Sequence, residues 1–214
     1  SMVDVHCHLN FHSFEKDYDE VIKQAFEAGV TKIINVGTKI DSSQKAVELA
    51  EKYKNLYAIV GVHPHHADKL ETGWEIELEK LAKNRKVVAI GEIGLDYFSY
   101  KSNDIVDPKL QKEVFIKQVE LAHKLRLPLQ IHNRQAGKDI IDILINHKSL
   151  ILSPPGMFHC FAGNIDILKQ ALNLGFYIGF DGNITYSGIA PGEDTDLKDL
   201  VKYTPLDRIV TETD

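Results

Sequence analysis

The chain has 214 residues, enough to bury a substantial core in one large domain or two small ones. Its 31 acidic against 25 basic residues leave a formal charge of −6, which excludes a broad basic field that would capture duplex nucleic acid at long range. Two cysteines, Cys7 and Cys160, give no disulfide framework, no apolar run approaches membrane-spanning length and no signal pattern opens the chain. The expected setting is therefore the reducing cytoplasm, without membrane contact.

Ser1 before Met2 reads as an expression scar, so the fold begins with VDVHCH (3–8), a short strand carrying His6 and His8. Side chains alternate along a strand, so these two imidazoles share a face about 7 Å apart, while Cys7 points the other way. Ser13 can cap a helix with an apolar face of Val21, Ile22, Ala25 and Phe26, and Gly29 can end it. KIINVG (32–37) and LYAIVGVH (56–63) read as the next strands, the latter closing on His63. Pro64 ends the ladder there and puts His65 on a loop. Trp74 begins a helix as a packing anchor.

VVAIGEIGLD (87–96) is a strand with Glu92 late in it and Asp96 at its exit. Asp107-Pro108 caps a helix that runs through Val114, Phe115, Val119, Leu121, Ala122 and Leu125 until Pro128 forbids more. PLQIHN (128–133) ends on His132, with Arg134 two residues on, and GMFHCF (156–161) carries His159. Gly175 ends a helix before FYIGFDG (176–182), whose Asp181 could line the mouth. IVTETD (209–214) contributes Glu212 and Asp214.

Strict alternation of short β-branched runs with amphipathic segments implies an α/β fold with a parallel sheet. Eight strands with seven connecting helices favour a TIM (β/α)8 barrel over an open doubly wound sheet, because no Gly-rich phosphate turn follows an early strand. The expectation is one barrel domain over residues 1–214, ending after the eighth strand with the final helix absent. In such a barrel the chemistry sits at the C-terminal strand ends, where these histidines and carboxylates collect. Each alone reads as a core or rim residue. Together they need a compensating charge, which divalent cations supply. The cysteines read as small buried hydrophobes, and His12, His66, His123 and His147 as surface positions.

HCH (6–8), GVHPHH (61–66), GEIGLDY (91–97), IHNRQA (131–136), FHCFAG (158–163) and TETD (211–214), in this order and spacing, resemble the TatD family of metal-dependent deoxyribonucleases. Gln111, Phe115, Gln118, Leu121 and Ala122, on the helix leading to LRLPLQIHNR, add to the likeness, which spans residues 3 to 214. The resemblance implies a two-metal site: His6, His8 and Asp214 on one ion, Glu92 bridging, His132 and His159 on the second. Imidazole and carboxylate together suit zinc, magnesium or manganese. Asp214 would orient or deprotonate a water, with Glu212 as a second acid–base candidate. His63, His65 and Arg134 match phosphate-binding positions; the bland alternatives are a polar rim and a solvent-facing arginine.

The implied activity is hydrolysis of DNA phosphodiesters by a two-metal activated water, as a 3′–5′ exonuclease acting on single strands or ends, by a monomer. One alternative is a two-metal hydrolase of a small-molecule ester or amide. Many such barrels use a modified lysine as the metal bridge, and Glu92 argues for the nuclease. Another is a metal-binding protein of little activity, because family members usually continue past TETD with a loop, a helix and a basic tail. The first-strand assignment predicts that His8→Ala lowers metal content, measured by elemental analysis of the purified protein, while circular dichroism stays unchanged. Full metal content in that variant would exclude His8 as a ligand.

Overall fold

In the computed structural model the described residues are 2–7, 18–102, 104–180, 189–190 and 192–211, with backbone alone for 2–7, 18, 19, 21 and 211. Strands and helices alternate without exception: β1 (Met2–Cys7), α1 (Tyr18–Glu27), β2 (Val30–Val36), α2 (Ile40–Lys52), β3 (Leu56–Val60), α3 (Trp74–Ala82), β4 (Val87–Asp96), α4 (Pro108–Leu125), β5 (Leu129–Arg134), α5 (Gly137–Asn146), β6 (Gly156–Phe158), α6 (Ile165–Asn173), β7 (Tyr177–Phe180), α7 (Leu197–Tyr203) and β8 (Ile209–Thr211). The strands lie in one sheet in chain order, each parallel to its neighbours, as strands joined by helical crossovers are. The α/β alternation and parallel order read from the sequence are both present. No helix among the described residues is long and apolar enough to cross a membrane.

The local signals act as their chemistry dictates. Asp107 accepts a hydrogen bond from the Lys109 amide at 3.0 Å and Pro108 takes the first helical position of α4, where its missing N–H is not needed. The helix ends at Leu125 because Arg126 turns left-handed (φ 54°) and the amides of Arg126 and Leu127 return to His123 and Ala122. Ser13, the expected cap of α1, lies outside the described residues.

A continuous core joins the outward faces of β3 to β7 with α2 to α6. It includes Ile90, Ile93, Leu95, Phe115, Ile131, Phe158 and Phe176, and Trp74 packs against it. Two glutamines on α4 tie this layer to the backbone at the C-terminal strand ends. Gln118 accepts from the Val62 amide at 2.7 Å and donates to the Val62 carbonyl at 3.1 Å. Gln111 does the same for Asp96, at 2.8 and 3.0 Å. Each clamp satisfies a buried donor and acceptor that would otherwise cost about 1–3 kcal/mol apiece.

Two strand ends differ from their sequence reading. β3 stops at Val60, so His63 lies beyond it and caps a 3-10 helix, Pro64–Lys69, which carries His65 and His66. β6 stops at Phe158, so His159 follows the strand, and Cys160 is left-handed (φ 43°) and half-buried rather than buried. Face alternation therefore does not apply to that thiol. His147 is half-buried, with Nδ1 2.8 Å from the Ile143 carbonyl.

Close approach of β4 to β5 depends on glycine. At Gly94 (φ 146°) an added Cβ would overlap the His132 carbonyl oxygen. Gly73 also has positive φ (89°) but faces open space. Gly94→Ala is expected to lower the unfolding free energy by about 3 kcal/mol in urea denaturation, against about 1 kcal/mol for Gly73→Ala. Equal losses would show that the interstrand approach contributes nothing.

Candidate functional site

β4 delivers Glu92 and Asp96 to the C-terminal end of the sheet, both buried, while Ile93 and Leu95 point into the core. Beside it, β5 places His132 between the two carboxylates. Its Nδ1 lies 3.0 Å from Glu92 Oε1 and its Nε2 2.8 Å from Asp96 Oδ2. His159, held by its amide to the Ile131 carbonyl at 2.8 Å, brings Nε2 to 3.5 Å from Glu92 Oε1. From the 3-10 helix, His63 Nε2 lies 3.8 Å from Glu92 Oε1 and His65 Nε2 3.1 Å from Asp96 Oδ2. Four imidazoles thus surround two buried carboxylates.

The hydrogen bonds fix protons as well as positions. His63 Nδ1 accepts from the His65 amide at 3.1 Å, which leaves the proton of the neutral ring on Nε2. Burial, with the neighbouring charge on His132, holds the His63 pKa well below 6.5. Burial would also lower His132, but its hydrogen bonds to Asp96 and Glu92 outweigh that and raise it above 6.5. Burial alone would raise the Asp96 carboxyl; hydrogen bonds from His132 and the Phe98 amide, with the His65 ring close by, instead hold it far below the usual carboxylate range. His132 is therefore the shared cation between two anions.

Ligand atoms of His63, Asp96 and His132 lie within 4.8 Å of one another, a group able to hold a metal ion. The donor set fits a divalent cation: imidazole nitrogens and carboxylate oxygens converge, and their negative charge is balanced by a proton that a cation could replace. Arg134, at the end of β5, stacks its guanidinium 3.8 Å from the centre of the Phe98 ring, and Nη1 donates to the Tyr100 hydroxyl at 2.9 Å. That hydroxyl lies 3.0 Å from Asp96 Oδ2, and burial together with the Asp96 charge pushes its pKa up to about 12.

Of the residues expected at the site, Glu92, His132, His159, His63, His65 and Arg134 come together here. The backbone of His6 is in β1, but its side chain, together with His8, Asp181, Glu212 and Asp214, lies outside the described residues. Asp96 is the residue whose part in the site the sequence reading missed. Its position four residues after Glu92 on one strand, hence on the same face, was the available signal. Phe98 and Tyr100 were not anticipated at all.

A model of the family described as TatD related DNase matches residues 3–214. The chain is 36% identical over 214 residues to the uncharacterized metal-dependent hydrolase YabD of Bacillus subtilis, covering all of this chain and 79% of that protein. It is equally similar, at 36%, to the 3′-5′ ssDNA/RNA exonuclease TatD of Yersinia pseudotuberculosis, covering 78% of it. The crystal structure of YjjV, a TatD homologue from Escherichia coli, superimposes on the whole chain and 78% of its own with a TM-score of 0.84 at 33% identity.

The charge balance sets a pH dependence for the metal-free fold. His132, with its raised pKa, stabilises fully below 6.5, and that contribution is lost as pH climbs through the shifted value. His63, buried neutral, opposes folding as pH falls below 6.5, because only the unfolded ring takes the proton. In chelator the His132 contribution should therefore be lost above 6.5 and that of His63 below it, and divalent cation should raise the melting temperature, measured from about pH 5 to 8, most on the alkaline side. A profile unchanged by cation would contradict metal binding at these residues.

Proposed function

The chain belongs to the TatD-related DNase family of metal-dependent hydrolases, and on that premise we propose that it is a 3′–5′ exonuclease acting on single-stranded DNA or DNA ends. The observation that carries the reading is the buried Glu92–His132–Asp96 group with Arg134 beside it: anionic donors for cations, next to a cation suited to a bidentate grip on phosphate.

In this proposal His6, His8 and Asp214 would hold one divalent ion and His132 and His159 a second, with Glu92 shared by both. Asp96 is a further anionic donor. The chemistry such ions would supply is polarisation of phosphoryl oxygens and a lowered water pKa. The remaining steps belong to side chains. Arg134 and the Nε2–H of His63 donate to nonbridging phosphate oxygens. With Nδ1 already accepting a backbone hydrogen bond, His63 in this arrangement presents an N–H to an anion. His65 flanks the phosphate from the same 3-10 helix. Asp214 orients the attacking water and takes its proton, and Glu212 is the second acid–base group. The surrounding architecture is proposed as a closed TIM-like barrel; β1 and β8 come within 8 Å between Cα atoms, which supports closure. A net charge of −6 favours strands or ends over duplex, and the proposed setting is a monomer in the cytoplasm.

The test is release of nucleotides from single-stranded DNA labelled at its 3′ end, with magnesium, manganese or zinc. Stepwise release is expected, abolished by chelator and reduced at least 100-fold or so in His132→Ala, a loss typical of removing a group that supports transition-state charge. Release that persists in chelator would overturn the metal-dependent reading, and turnover of small esters without DNA cleavage would move the substrate assignment to the small-molecule class.

A further inference from the structure

The phosphate grip of Arg134 assigned above needs the guanidinium at a fixed distance and angle from the carboxylate cluster, and stacking alone does not supply that. Among the described residues its neighbours are aromatic faces and one hydroxyl: Phe98 at 3.8 Å, Tyr100 at 5.0 Å between centres, and the Tyr100 oxygen 2.9 Å from Nη1. A guanidinium has no acceptor, so Nη1 donates and the phenol oxygen accepts. The single phenol proton is then free to go to Asp96 Oδ2, 3.0 Å away, and both hydrogen bonds run in one direction from cation to carboxylate. The Tyr100 ring is itself wedged edge-on between His65 and Phe98, each 4.7 Å between ring centres at 87° and 75°.

We propose that Tyr100 is a positioning residue: its hydroxyl locks the Arg134 guanidinium to Asp96 and so sets the phosphate-binding cation in register with the cluster that holds the cations. A cation over a ring face can rotate about the stacking axis with little change in energy, whereas a hydrogen bond falls off steeply with angle. Removing the hydroxyl therefore leaves the charge in place and loosens its aim. The remaining guanidinium N–H groups stay available for two phosphate oxygens.

This inference rests on the phosphate-binding reading of Arg134, and a double-mutant cycle separates the two. Binding of a fluorescein-labelled single-stranded oligonucleotide with phosphorothioate linkages, which resist cleavage, is read by anisotropy in magnesium. Arg134→Ala is expected to weaken it about tenfold, Tyr100→Phe about fivefold, and the double variant about tenfold rather than the fiftyfold of independent sites. Thermal melts of all three variants check the fold, and Tyr100→Phe keeps the ring and its packing. A Tyr100 that only supports the local fold gives multiplying factors, and this outcome, or wild-type affinity in Tyr100→Phe, overturns the proposal while leaving Arg134 in place. Unchanged affinity in Arg134→Ala overturns the phosphate-binding reading and the lock together.

Discussion

Two carboxylates buried within reach of one imidazole are the constraint on which the rest of the structure depends. Glu92 and Asp96 are both withdrawn from water, and neither could stay ionised there without a partner that is also withdrawn. His132 is that partner, touching each through a different ring nitrogen. Both nitrogens are committed, so the ring has no freedom to flip or turn, and β5 must hold its register against β4 to keep it so. The glycines of β4 serve that register, because any larger residue at Gly94 would push the strands apart where His132 is carried.

The remaining histidines grade outward from this centre. His159 and His63 approach Glu92 at longer range, and His65 reaches Asp96 from a helix outside the sheet. Their proton affinities diverge although the rings lie 4.3 Å apart: burial lowers that of His63, whereas hydrogen bonds to two anions raise that of His132. Such divergence among neighbouring groups is what separates roles in a hydrolytic site, a donor in one place and a replaceable proton in another.

Much of this was legible in the sequence. Alternation of short apolar runs and capped helices specifies a parallel α/β fold, and face periodicity on GEIGLD and LQIHNR puts Glu92, His132 and Arg134 at one end of adjacent strands. Periodicity fails where the strand stops. Nothing in VGVHP says that the ladder ends at Val60, three residues before the histidine, because that depends on what β4 offers as a partner. The same holds for His159 and Cys160 beyond the end of β6. Tertiary hydrogen bonds leave no pattern either. The oxygen of Tyr100 meets Arg134 across 34 residues, and Gln118 meets Val62 across 56. The resemblance pointed to Gln111 and Gln118 as matching residues, but their chemistry, side-chain amides closing on backbone, emerges only in three dimensions.

Those two glutamines sit seven residues apart on one helix, two turns along the same face of α4, and they grip different walls of the site. One holds the segment between β3 and the histidine-bearing 3-10 helix; the other holds the last residue of β4. A slide of α4 along its axis would pull on both walls together. The histidine-bearing segment and the carboxylate-bearing strand are thus referenced to one common support, so the spacing between imidazoles and carboxylates on this side depends on the placement of α4.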